Sequence, residues 1–71
     1  MKEKEILAAI GARIKMLRLK RNMTQNDLAI EYDIEKASIS RIEAGLINIT
    51  VRTLYRISKA LNISVADLLS Y

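Results

Sequence analysis

The chain has 71 residues, 51% of them hydrophobic with three tyrosines as the only aromatics, a formal charge of +4, and no cysteine, histidine or proline. A single domain is expected, burying about 60% of the surface its unfolded chain would expose and with no disulfide to assist it. Without histidine or cysteine the usual members of zinc sites, thiolate centres and Ser-His-Asp catalysis are missing, so neither an enzyme nor a metal or cofactor site is expected. Ile, Leu and Ala dominate the apolar residues, which favours an all-α fold. No segment approaches the roughly 18 apolar residues of a membrane span, and the opening Met1-Lys-Glu-Lys-Glu precedes no apolar signal core, so a cytoplasmic protein is expected.

In the first segment, Glu3 to Arg21, the residues Ile6, Ile10, Ile14 and Leu17 recur at helical spacing, while Arg13, Lys15, Lys20 and Arg21 lie elsewhere on the wheel. This predicts a long amphipathic helix, ended by Asn22, which tolerates a left-handed backbone. Thr24 is a good N-cap for a second helix over Gln25 to Tyr32, with Asp27 at the position that completes a capping box. Asp33 tolerates positive φ and can turn the chain without a glycine, leaving Ile34 to plug the corner.

A third helix is predicted from Glu35 to Ala44, with Gly45 as its C-terminal stop. Leu28, Ala29 and Tyr32 belong to one helical repeat and Ile39 and Ile42 to another, so the two short helices cannot share a face. Leu46 to Ile49 form a loop before Thr50 caps a fourth helix, whose Leu54, Ile57 and Leu61 align, and Asn62 ends it. Ser64 caps a last short helix with Asp67 completing a second capping box, Leu68 and Leu69 packing inward or against a partner.

Charge is uneven along the chain: +5 over residues 1–23, −3 over residues 24–50 and +2 over residues 51–71. An overall basic chain points to a polyanionic partner. Two short helices joined by a tight bend make poor use of a small core unless one of them must project. The DNA-binding helix-turn-helix does this, bracing its first helix on the DNA backbone and inserting its second into the major groove.

The segments "IGARIKMLRLKRN", "TQNDLAIEYDIEKASISRIEAG" and "TLYRISKALNISVADLL", in that order, resemble the phage Cro and repressor family of helix-turn-helix domains over roughly residues 10–69. The resemblance implies a compact five-helix, lambda-repressor-like domain with the motif at the second and third helices. It departs from the family pattern at Asp33, where glycine is usual, at Ile49, where proline is common, and at Glu35, where serine or threonine often opens the recognition helix.

By this resemblance the third helix reads DNA through Glu35, Lys36, Ala37 and Arg41, with Ser38 and Ser40 nearer the backbone or the helix flanks. Arg41 is the best base reader, since its fork can bond guanine bidentately, while Lys36 does so less rigidly and the Ala37 methyl can meet thymine. Gln25, in the first turn of the second helix, would clamp a phosphate, and Asn48 and Arg52 would anchor the other side of the groove. Glu43 is implied to pair with Arg18 and so tie the recognition helix to the scaffold.

The resemblance extends to stand-alone phage or plasmid regulators and to the controller proteins of restriction-modification systems. It implies a transcriptional regulator, such as a repressor, that binds a pseudo-palindromic operator on double-stranded DNA as a homodimer. Leu46, Ile47, Ile49, Val65, Leu69 and Tyr71 remain apolar once the core is assigned and are the expected dimer surface. A protein partner, either a toxin or RNA polymerase, stays open alongside DNA, as does a module that contacts protein only.

Overall fold

The structure, a computed structural model, describes residues 2–70. Its described residues form five helices: α1 (Glu3–Lys20), α2 (Gln25–Tyr32), α3 (Lys36–Glu43), α4 (Val51–Ala60) and α5 (Val65–Leu68). α1 stops one residue short of the expected Arg21, and Glu35 and Ala44 flank α3 rather than lying within it. α1 packs on α3 and α5, α2 lies between α3 and α4, and α4 packs on α5. The single core is built from Ile10, Ile14, Leu28, Ala29, Tyr32, Ile39, Ile42, Leu54, Ile57, Leu61 and Leu68, so every helix contributes to it.

The ends of α1 to α4 share one device. Asn22, Asp33, Gly45 and Asn62 all have positive φ, at 56°, 62°, 73° and 58°. Beyond each, the next backbone N–H bonds a carbonyl five residues back: Met23 to Arg18, Ile34 to Ala29, Leu46 to Arg41 and Ile63 to Ser58. These are Schellman closures, which satisfy carbonyls that a helix end would otherwise leave free. Only one uses glycine. Asn and Asp reach the left-handed region at lower cost than most side chains, which is how Asp33 makes the bend between α2 and α3.

At the helix starts, Thr24 Oγ1 accepts from the Asp27 N–H at 3.0 Å, and the Thr24 N–H donates to Asp27 Oδ2 at 2.8 Å, a complete capping box. Thr50 caps α4 by accepting from the Thr53 N–H. Ser64 accepts from the Asp67 N–H, but the carboxylate of Asp67 makes no return bond, so the expected second box is half formed.

Gly11 sits inside α1 because there is no room for a larger residue. A Cβ there would collide with the Ile42 carbonyl oxygen and lie 2.6 Å from that of Glu43. The backbone of α1 therefore rests directly on the C-terminal end of α3. Gly45 is similarly confined, with a Cβ 2.8 Å from Ala8 Cα in addition to its positive φ.

Candidate nucleic-acid interface

The eight residues of α3 divide cleanly between the core and the outside. Ile39, Ile42 and Glu43 are buried and Ser38 is half-buried, while Lys36, Ala37, Ser40 and Arg41 are exposed, as is Glu35 just before the helix. The exposed set follows the spacing i, i+1, i+4, i+5, which places it on one face of the helix. Glu35 gives α3 no side-chain cap, in contrast to Thr24 on α2 and Thr50 on α4. Lys36, Ala37, Ser40 and Arg41, four of the residues expected to meet DNA, thus share one outward face, with Ser38 half-buried. Asn48 and Arg52 are also exposed, in the loop before α4 and in its first turn.

Behind that face lies a buried ionic network. Arg18 Nε donates to Glu43 Oε2 at 2.7 Å, and Arg18 Nη2 donates to Glu43 Oε1 at 3.0 Å. Arg18 Nη1 donates to the Met23 carbonyl at 2.7 Å, so the guanidinium fork spans α1, the α1–α2 turn and α3. The hydrogen bond to Glu43 raises the Arg18 pKa above its ordinary value; burial opposes this and the carboxylate's charge reinforces it. Gln25 Nε2 adds a third contact, donating to Glu43 Oε1 at 3.2 Å. Sequence reasoning assigned Gln25 to phosphate alone and missed this bond, since nothing in the spacing of residues 25 and 43 brings them together.

Three arginines of the first third also make structural bonds. Besides Arg18, Arg13 donates from Nε and Nη2 to the Asp67 carbonyl, and Arg21 Nη1 donates to the Leu61 carbonyl. Arg13 within α1 and Arg21 just beyond it thus tie this helix to the C-terminal ends of α5 and α4. Arg56 stacks over the Tyr32 ring at 5.6 Å and Lys59 over Tyr55 at 5.7 Å.

Of the apolar residues assigned to a dimer surface, Leu46, Ile47 and Leu69 are exposed. Ile49 and Val65 instead are half-buried, packed against the domain's own core from the loop before α4 and the first position of α5. Tyr71 lies outside the described residues. Val51 and Tyr55, at 76% and 53% exposure, are apolar surface that the sequence reading missed; both were absorbed into the predicted fourth helix without being placed on its outer face. Among the described residues no group of three or more acidic, histidine or cysteine side chains is placed to hold a metal ion.

A model of the helix-turn-helix family matches residues 14–68. Control protein C.BamHI of Bacillus amyloliquefaciens is 40% identical to this chain over 62 residues, covering 86% of this chain and 76% of that protein. The solved wild-type restriction-modification controller protein C.Esp1396I is similar at a TM-score of 0.82 and 34% identity, over 90% of this chain and 86% of that one. The restriction-modification controller protein C.AhdI from Aeromonas hydrophila matches at a TM-score of 0.85 over 87% of this chain and 94% of that one; at 24% identity it shows a shared fold. With the family match spanning α2, the Asp33 bend and α3, the chain belongs to the helix-turn-helix family of DNA-binding transcriptional regulators.

Proposed function

We propose that this chain is a controller-type regulator that binds a pseudo-palindromic operator as a homodimer, with α3 in the major groove. The observation that carries the reading is the division of α3. Its inner face is locked by Ile39, Ile42 and the Glu43–Arg18 pair, and its outer face offers Lys36, Ala37, Ser40 and Arg41 to a partner. Arg41 and Lys36 supply the hydrogen-bond donors that guanine accepts in the major groove, and Ala37 a methyl for thymine. The start of α2, with Gln25, meets the backbone phosphates, and Asn48 and Arg52 hold the opposite edge.

The controller role rests on similarity to C.BamHI and to the solved controller proteins. Dimerisation is supported by the exposed Leu46, Ile47 and Leu69, joined by Val51 and Tyr55 on the same third of the chain. A two-fold axis there would set two recognition helices about 34 Å apart, one turn of DNA. The protein acts in the cytoplasm, and no helix among the described residues is long and apolar enough to cross a membrane.

Selection of bound duplexes from a random pool tests this reading. A pseudo-palindrome with half-sites about one turn apart is expected. No enrichment, with little binding to duplex DNA at any salt concentration, would instead identify a module that contacts protein alone.

A further inference from the structure

The readout proposed for Lys36 and Arg41 depends on how firmly α3 is held, because eight residues of helix cannot fix their own orientation on a domain. Beside the packing of Ile39 and Ile42, the polar hold is the carboxylate of Glu43. Its Oε2 accepts from Arg18 Nε at 2.7 Å, and its Oε1 accepts from Arg18 Nη2 at 3.0 Å and from Gln25 Nε2 at 3.2 Å. Only a donor can face that carboxylate, so chemistry alone requires the amide nitrogen of Gln25 to point at Glu43. The amide's orientation is thereby set, with Oε1 and the second N–H on the side away from Glu43.

Gln25 differs from the other members of this network. Arg18 and Glu43 are buried, whereas Gln25 is half-buried and stands in the first turn of α2, where a phosphate would approach. It stands at the proposed backbone contact and bonds the carboxylate that anchors the recognition helix. Building on the function proposed above, we propose that Gln25 is a positioning residue for base readout, linking the phosphate contact at the start of α2 to the orientation of α3 through Glu43. A pure clamp would contribute equally on every sequence; a positioning residue contributes most where Lys36 and Arg41 must meet particular base edges, since bidentate bonds tolerate little misalignment.

The experiment compares equilibrium affinities of wild type, Gln25→Met and Gln25→Ala for the selected operator and for a random duplex at one salt concentration. Methionine keeps the length and removes the donor; alanine removes the side chain, and as a good helix former it provides a folded variant if methionine does not. The ratio of operator to random affinity is expected to fall roughly tenfold in both. Loss of stability alone lowers both affinities by one factor and leaves the ratio unchanged, so it cannot mimic this result. An unchanged ratio overturns the positioning role and leaves Gln25 a clamp. A wild type that itself shows no preference for any duplex overturns the proposed function instead, a result visible before either variant is measured.

Discussion

The guanidinium of Arg18 meets the carboxylate of Glu43 side-on, Nε to Oε2 at 2.7 Å and Nη2 to Oε1 at 3.0 Å, with the two side chains only 7% and 3% exposed. The geometry explains how two charges survive in a small core. Each carboxylate oxygen is paired, the remaining guanidinium group reaches the Met23 carbonyl, and no buried side-chain nitrogen or oxygen among the described residues lacks a partner. Full satisfaction offsets the cost of removing both charges from water. The consequence is positional. α1, α2 and α3 are joined at one carboxylate, on the residue whose backbone also lies against Gly11 of α1.

Breaking this pair from one side strands a charge. Glu43→Gln and Arg18→Met are each expected to lower stability by about 3 kcal/mol, and the double variant by less than the sum. Urea unfolding of the four proteins measures the coupling. Strict additivity would show that the two side chains act independently.

For readout, Arg41→Ala is expected to cost about 1 to 3 kcal/mol on the operator and to relax preference at one position per half-site. Arg52→Ala, at a proposed backbone contact, is expected to weaken all duplexes alike and reduce the salt slope by about one. Titrations against operator, point-changed operators and random duplex distinguish them; the assignment fails if both variants show the same pattern.

Gly11→Ala tests the close approach of α1 to α3. Alanine is the better helix former by up to about 1 kcal/mol, yet its Cβ would meet the carbonyls of Ile42 and Glu43. Backbone cannot move aside as a flexible side chain can, so a net loss of about 1 to 3 kcal/mol is expected. A variant as stable as wild type in thermal unfolding would contradict that crowding.

The capping box of α2 carries a pH signature. The hydrogen bonds from the Thr24 backbone and then the Thr24 side chain hold the Asp27 carboxyl below its ordinary value of 3.8. A depressed folded pKa means that the box stabilises the protein above pH 3.8 and that this contribution disappears as pH falls through the lowered value. Asp27→Asn should therefore be less stable than wild type at pH 7 and converge with it in acid. Thr24→Ala should cost about 1 kcal/mol at neutral pH. Parallel stability curves for wild type and Asp27→Asn would exclude the ionised box.

The proposed dimer is tested by sedimentation at micromolar concentration. Ile47→Asp and Leu69→Asp, on exposed positions, are expected to give folded monomers. Ile49→Asp and Val65→Asp should instead destabilise the fold, because those side chains pack on the core. A wild-type monomer, or a dimer indifferent to both exposed charges, removes this surface from the proposal.

The features legible in the sequence were those written in local chemistry. Thr24, Thr50 and Ser64 announce helix starts, and Asn22, Asp33, Gly45 and Asn62 announce helix ends, because capping and positive φ depend on residues a few places apart. The aliphatic spacing of Ile10, Ile14, Ile39, Ile42, Leu54 and Ile57 marked the buried faces for the same reason. Resemblance to known helix-turn-helix domains supplied the outward residues of α3 and the pairing of Arg18 with Glu43, which no local pattern contains. What only the tertiary structure decided depends on distances across the chain. Gly11 is required by α3, about thirty residues away; Arg13 and Arg21 bond carbonyls at the ends of α5 and α4; Ile49 and Val65 pack on the domain's own core; and Gln25 meets Glu43. A sequence states a side chain's charge and shape, but the helix end, carbonyl or carboxylate that will occupy it is set by how separate helices pack, and that packing is fixed collectively by the core.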